Sequence, residues 1–455
     1  MAENISTWLP PGWEPLAYLV AAVLQAILII HIFALGAVVF IWAERKVSGR
    51  IQDRLGPTRT GGAFGWLQSL ADGVKLLSKE DLMPKDADPL LFRIAPYLAF
   101  AASFAAFLVL PFSNGWVALH LNVAIFFLVA VLGLEVFGVI LAGYSSGSKW
   151  SLFGAMRQAA QVVSYEVPLG ICIVIPVIIA GSMDMVTIGN QQRGLFTNWL
   201  VFHDPFTMMV FWVYATCAVA SVNRAPFDLA EAESELVAGF LTEYSGIRWS
   251  LFFMAEYGSM FLVSAVGSVL FLGGWNGPIP IFSLLIDNVP WLADSWAFVW
   301  LANFFGLLNV LLKASLGVIA MMWVRWTFPR MRVDQVITTC LKYCVPLAAF
   351  CFLGVVFWVS TGLPFLNDLA PAAPRSTVRE GWMVEREERV ERTLSRLEAE
   401  IAAAETQPAT VDDEPAAAEE ANEAESVEPT DETVKAGMDD ADQTAAVASL
   451  AGGEQ

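Results

Sequence analysis

The sequence predicts an all-α integral membrane protein: eight transmembrane helices, amphipathic interfacial helices on the cytoplasmic side, and a mostly disordered acidic C-terminal tail. Three observations carry that expectation. Of 455 residues, 56% are hydrophobic and only 16% charged, whereas a soluble domain carries about 25% charge. Apolar runs long enough to cross about 30 Å of hydrocarbon recur through the first 370 residues. The charge is also divided. Residues 1–370 hold 19 Lys+Arg against 23 Asp+Glu, and residues 371–455 hold 7 against 22. The net charge of −19 therefore belongs mostly to the tail.

The first run, 16–42, follows a short stretch (1–15) and is too long, with too acidic a flank (Glu3, Glu14), to be a cleavable signal peptide. Seven more follow at 94–111, 119–141, 162–180, 206–222, 249–272, 296–324 and 337–359. The fourth is the weakest, because Glu166, Pro168 and Pro176 interrupt it. Tryptophans near the run ends (Trp8, Trp13, Trp42, Trp116, Trp249, Trp296, Trp326) match interface belts. The segments after runs one, three, five and seven carry seventeen Lys and Arg, and the alternate segments carry only Arg193. By the positive-inside rule, loops 43–93, 142–161, 223–248 and 325–336 face the cytoplasm, and both termini of the 16–370 membrane domain lie outside. Segment 371–406 is charged and helix-prone, either docked on a partner or a solvated stalk; 407–455 is acidic, aperiodic and expected to be disordered.

Polar residues concentrate in two loops. Between Gly65 and Glu80, Leu67, Leu70, Val74 and Leu77 form one helical face, with Asp72, Lys75 and Lys79 on the other. That is an interfacial helix, and a plain anchor with snorkelling lysines is the simpler account of it. The 221–246 loop carries Glu231, Glu233, Glu235 and Glu243. Glu231 and Glu235 share a helix face, where two ionised carboxylates repel. Glu135, Glu166, Glu256 and Lys313 fall inside apolar runs, each costing a few kcal/mol unless it faces protein or water. One such acid is an interhelical strut; three on separate helices, beside a glutamate-rich loop, suit a proton relay.

Several chemistries are disfavoured. No basic excess exists to bind nucleic acid. The five cysteines (Cys172, Cys217, Cys340, Cys344, Cys351) sit in apolar runs without a CxxC pair, which argues against an iron–sulfur cluster. His31, His120 and His203 lie on separate segments, which argues against a haem. No nucleotide-binding fingerprint appears, so no metal or redox cofactor is expected on this chain. The lack of internal repeats argues against a secondary ion transporter.

A set of ordered motifs resembles one family. They are Glu44-Arg45-Lys46, Gly49-Arg50, Arg54-x-Gly56-Pro57, Ala71-Asp72-x-x-Lys75, Lys79-Glu80 and Ser164-Tyr165-Glu166. Asn223-Arg224-Ala225-Pro226-Phe227-Asp228-Leu229, Glu233-Ser234-Glu235-Leu236-Val237-x-Gly239, Glu243-Tyr244 and Pro329-Arg330-x-Arg332-x-Asp334-Gln335 complete it. From about residue 16 to 362 the chain is similar to the H-type membrane subunit of bacterial NADH:quinone oxidoreductase, respiratory complex I. The resemblance implies an eight-helix protein of the bacterial cell membrane where a quinone tunnel opens from the lipid. It implies partners in the soluble redox arm and the membrane arm, with NADH, FMN and iron–sulfur clusters in those partners and menaquinone or ubiquinone as substrate. By this similarity Arg45, Arg54, Asp72, Lys75, Arg224, Phe227, Arg330 and Arg332 would form the quinone site. Glu135, Glu166, Glu231, Glu233, Glu235, Glu243 and Glu256 would form the proton relay. One departure is Ser221, where the family commonly has Glu. A quinone-independent anchor in a membrane-bound hydrogenase-type complex is the alternative.

Overall fold

A computed structural model describes residues 14–114, 116–230, 233–279 and 296–361. The expected charged segment and acidic tail lie outside the described residues, as do Glu231 and nearly all of the N-terminal stretch. Every regular element among the described residues is helical, and no strand occurs.

In chain order the helices are α1 Glu14–Ile51, α2 Gln68–Ser78, α3 Pro89–Ala106, α4 Ala124–Ser145, α5 Lys149–Ala180 and α6 Met185–Gln191. They continue with α7 Pro205–Ser221, α8 Glu233–Leu236, α9 Gly246–Phe271, α10 Trp296–Thr327, α11 Val333–Thr338 and α12 Val345–Thr361. A π-helical segment, Thr339–Cys344, joins α11 to α12. Among the described residues, seven helices are long and apolar enough to cross a membrane, and α7 is a further, shorter apolar helix of 17 residues. At 1.5 Å per residue it spans about 25 Å, short of the usual hydrocarbon thickness. The protein is thus an all-α, multi-pass membrane protein.

Two boundaries differ from the sequence expectation for one physical reason. The loop expected at 142–161 is nearly all helix: α4 runs to Ser145 and α5 begins at Lys149. Likewise α1 continues beyond Trp42 to Ile51, carrying Glu44, Arg45 and Lys46 on its last turns. Hydropathy marks where a helix meets lipid, but backbone hydrogen bonding continues through polar residues that face protein. The helix expected within 65–80 is present as α2.

Helix α9 is the centre of the bundle, packing against α1, α3, α7 and α10, with 78% of its apolar window buried. The outward residues invert the soluble pattern: Phe126, Phe137, Trp212 and Leu353 are largely exposed. In lipid such groups need no burial, and helix association relies on close packing of small residues. Gly138 on α4 shows this, since a Cβ there would stand 2.8 Å from the Ala99 backbone nitrogen on α3.

Two helix starts are capped by aspartates that precede a proline. Asp88 accepts from the Leu90 and Leu91 amides at 3.0 and 3.3 Å, starting α3 ahead of Pro89. Asp204 caps α7, accepting from the Thr207 amide and hydroxyl, each at 2.7 Å, and pairing with His203 at 2.9 Å. Burial pushes the Asp204 carboxyl up, but the His203 and Thr207 hydrogen bonds outweigh it and leave it below its ordinary value. Its contribution is therefore complete above the unfolded value of about 3.9 and is lost as pH falls through the lower folded value. Asp204→Ala is expected to destabilise by about 1 kcal/mol at neutral pH, read as earlier thermal inactivation of the detergent-solubilised protein. The gap to the wild type should narrow below about pH 4, and equal inactivation at pH 7 would contradict the capping role.

Lys313, inside α10, has a structural explanation. Its ammonium donates to the carbonyls of Leu272, Gly274 and Asn276 at 2.6, 2.8 and 2.6 Å. It also lies 4.4 Å from the Trp199 ring centroid. A cation at the C-terminal end of α9 complements the helix dipole there.

Candidate functional site

The polar residues fall into three groups. The first borders a cavity of about 660 Å³ between α1, α2 and the start of α9. That volume suits a small molecule, for which pockets run about 300–1,000 Å³. Ala34, Val38 and Ile41 of α1 and Phe253 and Met254 of α9 supply apolar wall. Arg45, Asp72 and Lys75 supply its charged part. Arg45 Nη1 donates to Asp72 Oδ2, and Lys75 Nζ stands 3.7 Å from Asp72 Oδ1. The amphipathic spacing of α2 creates this arrangement, because its polar edge turns Asp72 and Lys75 toward the last turns of α1.

The second group is a buried ion cluster that the sequence analysis did not assemble. Glu44 receives hydrogen bonds from Tyr257 and Arg325 and also from Arg224, whose Nη1 is 3.4 Å from Glu44 Oε1. Arg224 Nε is 2.9 Å from Glu256 Oε1, and its guanidinium lies 4.5 Å from the Tyr257 ring centroid. Burial alone would lower the Arg224 value, but Glu256, Tyr257 and Glu44 raise it well above the ordinary guanidinium range. Arg224 is therefore a permanent cation. Tyr257 and Arg325 lie 213 and 281 residues from Glu44 in sequence, so no local spacing signals their meeting.

The third group follows α3, α4, α5 and α9. Ser259 donates to Glu135 at 2.7 Å and lies 2.9 Å from Ser103, which bonds the Ala255 carbonyl at 3.1 Å. Glu135 and Glu166 border one cavity with Ser221, and Glu135 and Glu256 border a second. Glu166 Oε1 stands 3.7 Å from where a Cβ on Gly133 would lie, so it abuts α4.

The remaining expected residues are placed elsewhere. Arg54 is exposed and bonds Gln52 at 2.6 Å. Phe227 is buried 5.4 Å from the Tyr165 ring. Arg330 pairs with Asp228 at 2.9 Å, and Arg332 starts α11, where its amide donates to Gln335 at 3.1 Å. Glu235 pairs with Arg157, its side chain 56% exposed. The Arg157 hydrogen bond holds the Glu235 carboxyl below its ordinary value. Glu243 is half-buried in the turn before α9, and Glu233 begins α8. Tyr244 stacks on Phe92 at 4.1 Å and donates to the Phe92 carbonyl at 3.3 Å. Burial pushes its hydroxyl up to about 12, so it stays a neutral donor.

Among the described residues, no group of three His, Cys, Asp or Glu is arranged to hold a metal ion. The five cysteines are free thiols, all buried.

Fold and site together define a polytopic membrane protein with a cavity charged at Arg45, Asp72 and Lys75 and, beside it in sequence at Glu44, a buried network of acids and arginines. Comparison with known proteins gives the family. The family described as NADH dehydrogenase matches residues 24–356. The chain is 41% identical over 367 residues to the H subunit of NADH-quinone oxidoreductase from Chlorobaculum parvum, covering 79% of this chain and 98% of that protein. It is 42% identical over 360 residues to the H subunit from Anaeromyxobacter dehalogenans, covering 78% and 86%. It is 39% identical over 370 residues to that of Bacteroides thetaiotaomicron, covering 80% and 97%. The chain belongs to this family of membrane subunits of NADH-quinone oxidoreductase.

Proposed function

We propose that this chain forms the quinone-access tunnel of a proton-translocating NADH:quinone oxidoreductase and couples quinone reduction to proton movement through buried glutamates. The observation that carries the reading is the 660 Å³ cavity, apolar along α1 and α9 and charged at Arg45, Asp72 and Lys75. An isoprenoid quinone has that polarity, with a greasy tail and a head group whose carbonyl oxygens gain charge on reduction. Arg45 and Lys75 would stabilise that charge, while Asp72 holds Arg45 in place. Arg54, Phe227, Arg330 and Arg332 would act on the surrounding loops. Electrons would arrive from redox-arm subunits docked where α2 and the 223–248 loop lie; those loops would then be cytoplasmic and, with eight crossings, both termini outside.

Protons would pass along Glu256, Glu135 and Glu166, with Arg224 tying Glu256 to Glu44 near the cavity. Glu235, held ionised by Arg157, fits better as an anchor of the loop than as a proton carrier.

Ala34→Phe tests the tunnel directly, since it projects a ring into the cavity from α1. In the purified complex the quinone KM should rise at least five-fold. NADH oxidation by a water-soluble ruthenium acceptor should be unchanged. A wild-type quinone KM for A34F would overturn the tunnel assignment.

A further inference from the structure

Two small cavities meet at Glu135. The first, about 40 Å³, is bounded by Glu135, Glu166, Ser221 and Ser259 together with Gln158 and Asn223. The second, about 30 Å³, is bounded by Glu135, Gln158, Asn223 and Glu256. Each water needs roughly 10–15 Å³ of such space and two to four polar partners. The two cavities therefore have room for a few waters, and their walls offer carboxyls, amides and hydroxyls.

Gln158 belongs to both walls. It follows Arg157 on the third turn of α5, is only 8% exposed, and its Oε1 has no hydrogen-bond partner in the protein. A buried acceptor left dry is unfavourable, and here it borders two cavities whose largely apolar walls also carry carboxyl, amide and hydroxyl groups. Its neighbours have other duties. Gln161 donates to the Ala220 carbonyl at 2.7 Å and to Asn223 at 3.1 Å, which fixes the α7 end where Ser221 stands. Ser259 is engaged with Glu135 and Ser103. Ser221, the last residue of α7, presents only a short hydroxyl to the first cavity.

We propose that Gln158 positions a bridging water cluster that links Glu135 to Glu166 on one side and to Glu256 on the other, completing a path that Ser221 is too short to span. This rests on the glutamate relay described above and adds its missing link. The carboxamide does not itself carry the proton. The Glu135 O–H bond breaks as its proton passes to a water oxygen, and that water gives one of its own protons to the Glu166 carboxylate. Glu135 ends as carboxylate, Glu166 as carboxylic acid, the water is regenerated, and no electrons move. Gln158 is a positioning residue: its carbonyl accepts from the water and fixes its orientation.

A double-substitution experiment in the intact complex tests this, read as proton translocation in proteoliposomes beside ruthenium-acceptor activity as an assembly control. Gln158→Leu should lower quinone-linked proton translocation at least five-fold with the control unchanged. Adding Ser221→Glu to that variant should restore at least half, because a carboxylate then enters the same cavity. A residue that merely fills space would be unaffected by Q158L, which keeps the volume, and would not respond to S221E. Translocation within two-fold of wild type for Q158L, or no recovery in the double variant, overturns the proposal. If Q158L fails to assemble, Gln158→Met takes its place with the same expectations. Glu135→Gln and Glu166→Gln run alongside: if both keep wild-type translocation, the relay falls and the bridge with it. If both are defective while Q158L is normal, only the bridge falls.

Discussion

Arg224→Met is expected to leave little assembled complex in the membrane. Arg224 is 4% exposed and stands between Glu44, itself 7% exposed, and Glu256. Removing one partner of a buried ion pair costs about 3–5 kcal/mol, because charge stays behind in a medium that solvates it poorly. Whole-domain stability is only about 5–15 kcal/mol, so this single change removes a large share. Arg224→Lys should rescue partially. It keeps the charge, but an ammonium lacks the planar fork that reaches two carboxylates and covers the Tyr257 ring at once. Native-gel quantification and thermal inactivation of the solubilised complex measure both variants. If R224M assembled at wild-type levels with wild-type heat stability, the cluster would not be a structural keystone.

Gly154→Val should have the second largest structural effect. Gly154 lies on α5, and a Cβ there would stand 2.8 Å from Gly239 Cα and 3.0 Å from the Phe240 amide nitrogen. Those are backbone atoms, and Gly239 is itself at φ +56°, so neither side can yield by a rotamer change. Losing a helical glycine normally gains a few tenths of a kcal/mol, while overpacking costs about 1–3 kcal/mol or more. The clash wins. The 233–246 segment would be pushed off α5, loosening the Ser151 to Phe240 hydrogen bond of 3.2 Å and the Arg157–Glu235 pair. Faster proteolysis in that segment and a lower inactivation temperature are the expected readouts. An unchanged cleavage pattern would show that the contact is dispensable.

Much of this architecture is legible in the chain. The stripe of Leu67, Leu70, Val74 and Leu77 foretells α2, since side chains three and four apart must share a helix face. Glu135, Glu166 and Glu256 announce themselves as charges inside apolar runs. The start of α5 does not, because Lys149, Arg157, Gln158 and Gln161 interrupt hydropathy without interrupting the helix. Arg54, Arg330 and Phe227 carry motif likeness, yet the first is exposed and the others engage Asp228 and Tyr165 away from the cavity. Likeness of a motif does not say which of its residues share a space.

Composition and local periodicity settle the membrane class, the helical elements and the family motifs, because hydrophobicity and the 3.6-residue repeat act within a few turns of chain. The joining of Glu44, Arg224, Glu256, Tyr257 and Arg325, and the meeting of Gln158 with Ser221 across a cavity, arise from α1, α5, α7, α9 and α10 packing side by side. Those contacts depend on which faces the helices turn to one another, a property of the assembled bundle and of no single stretch of sequence.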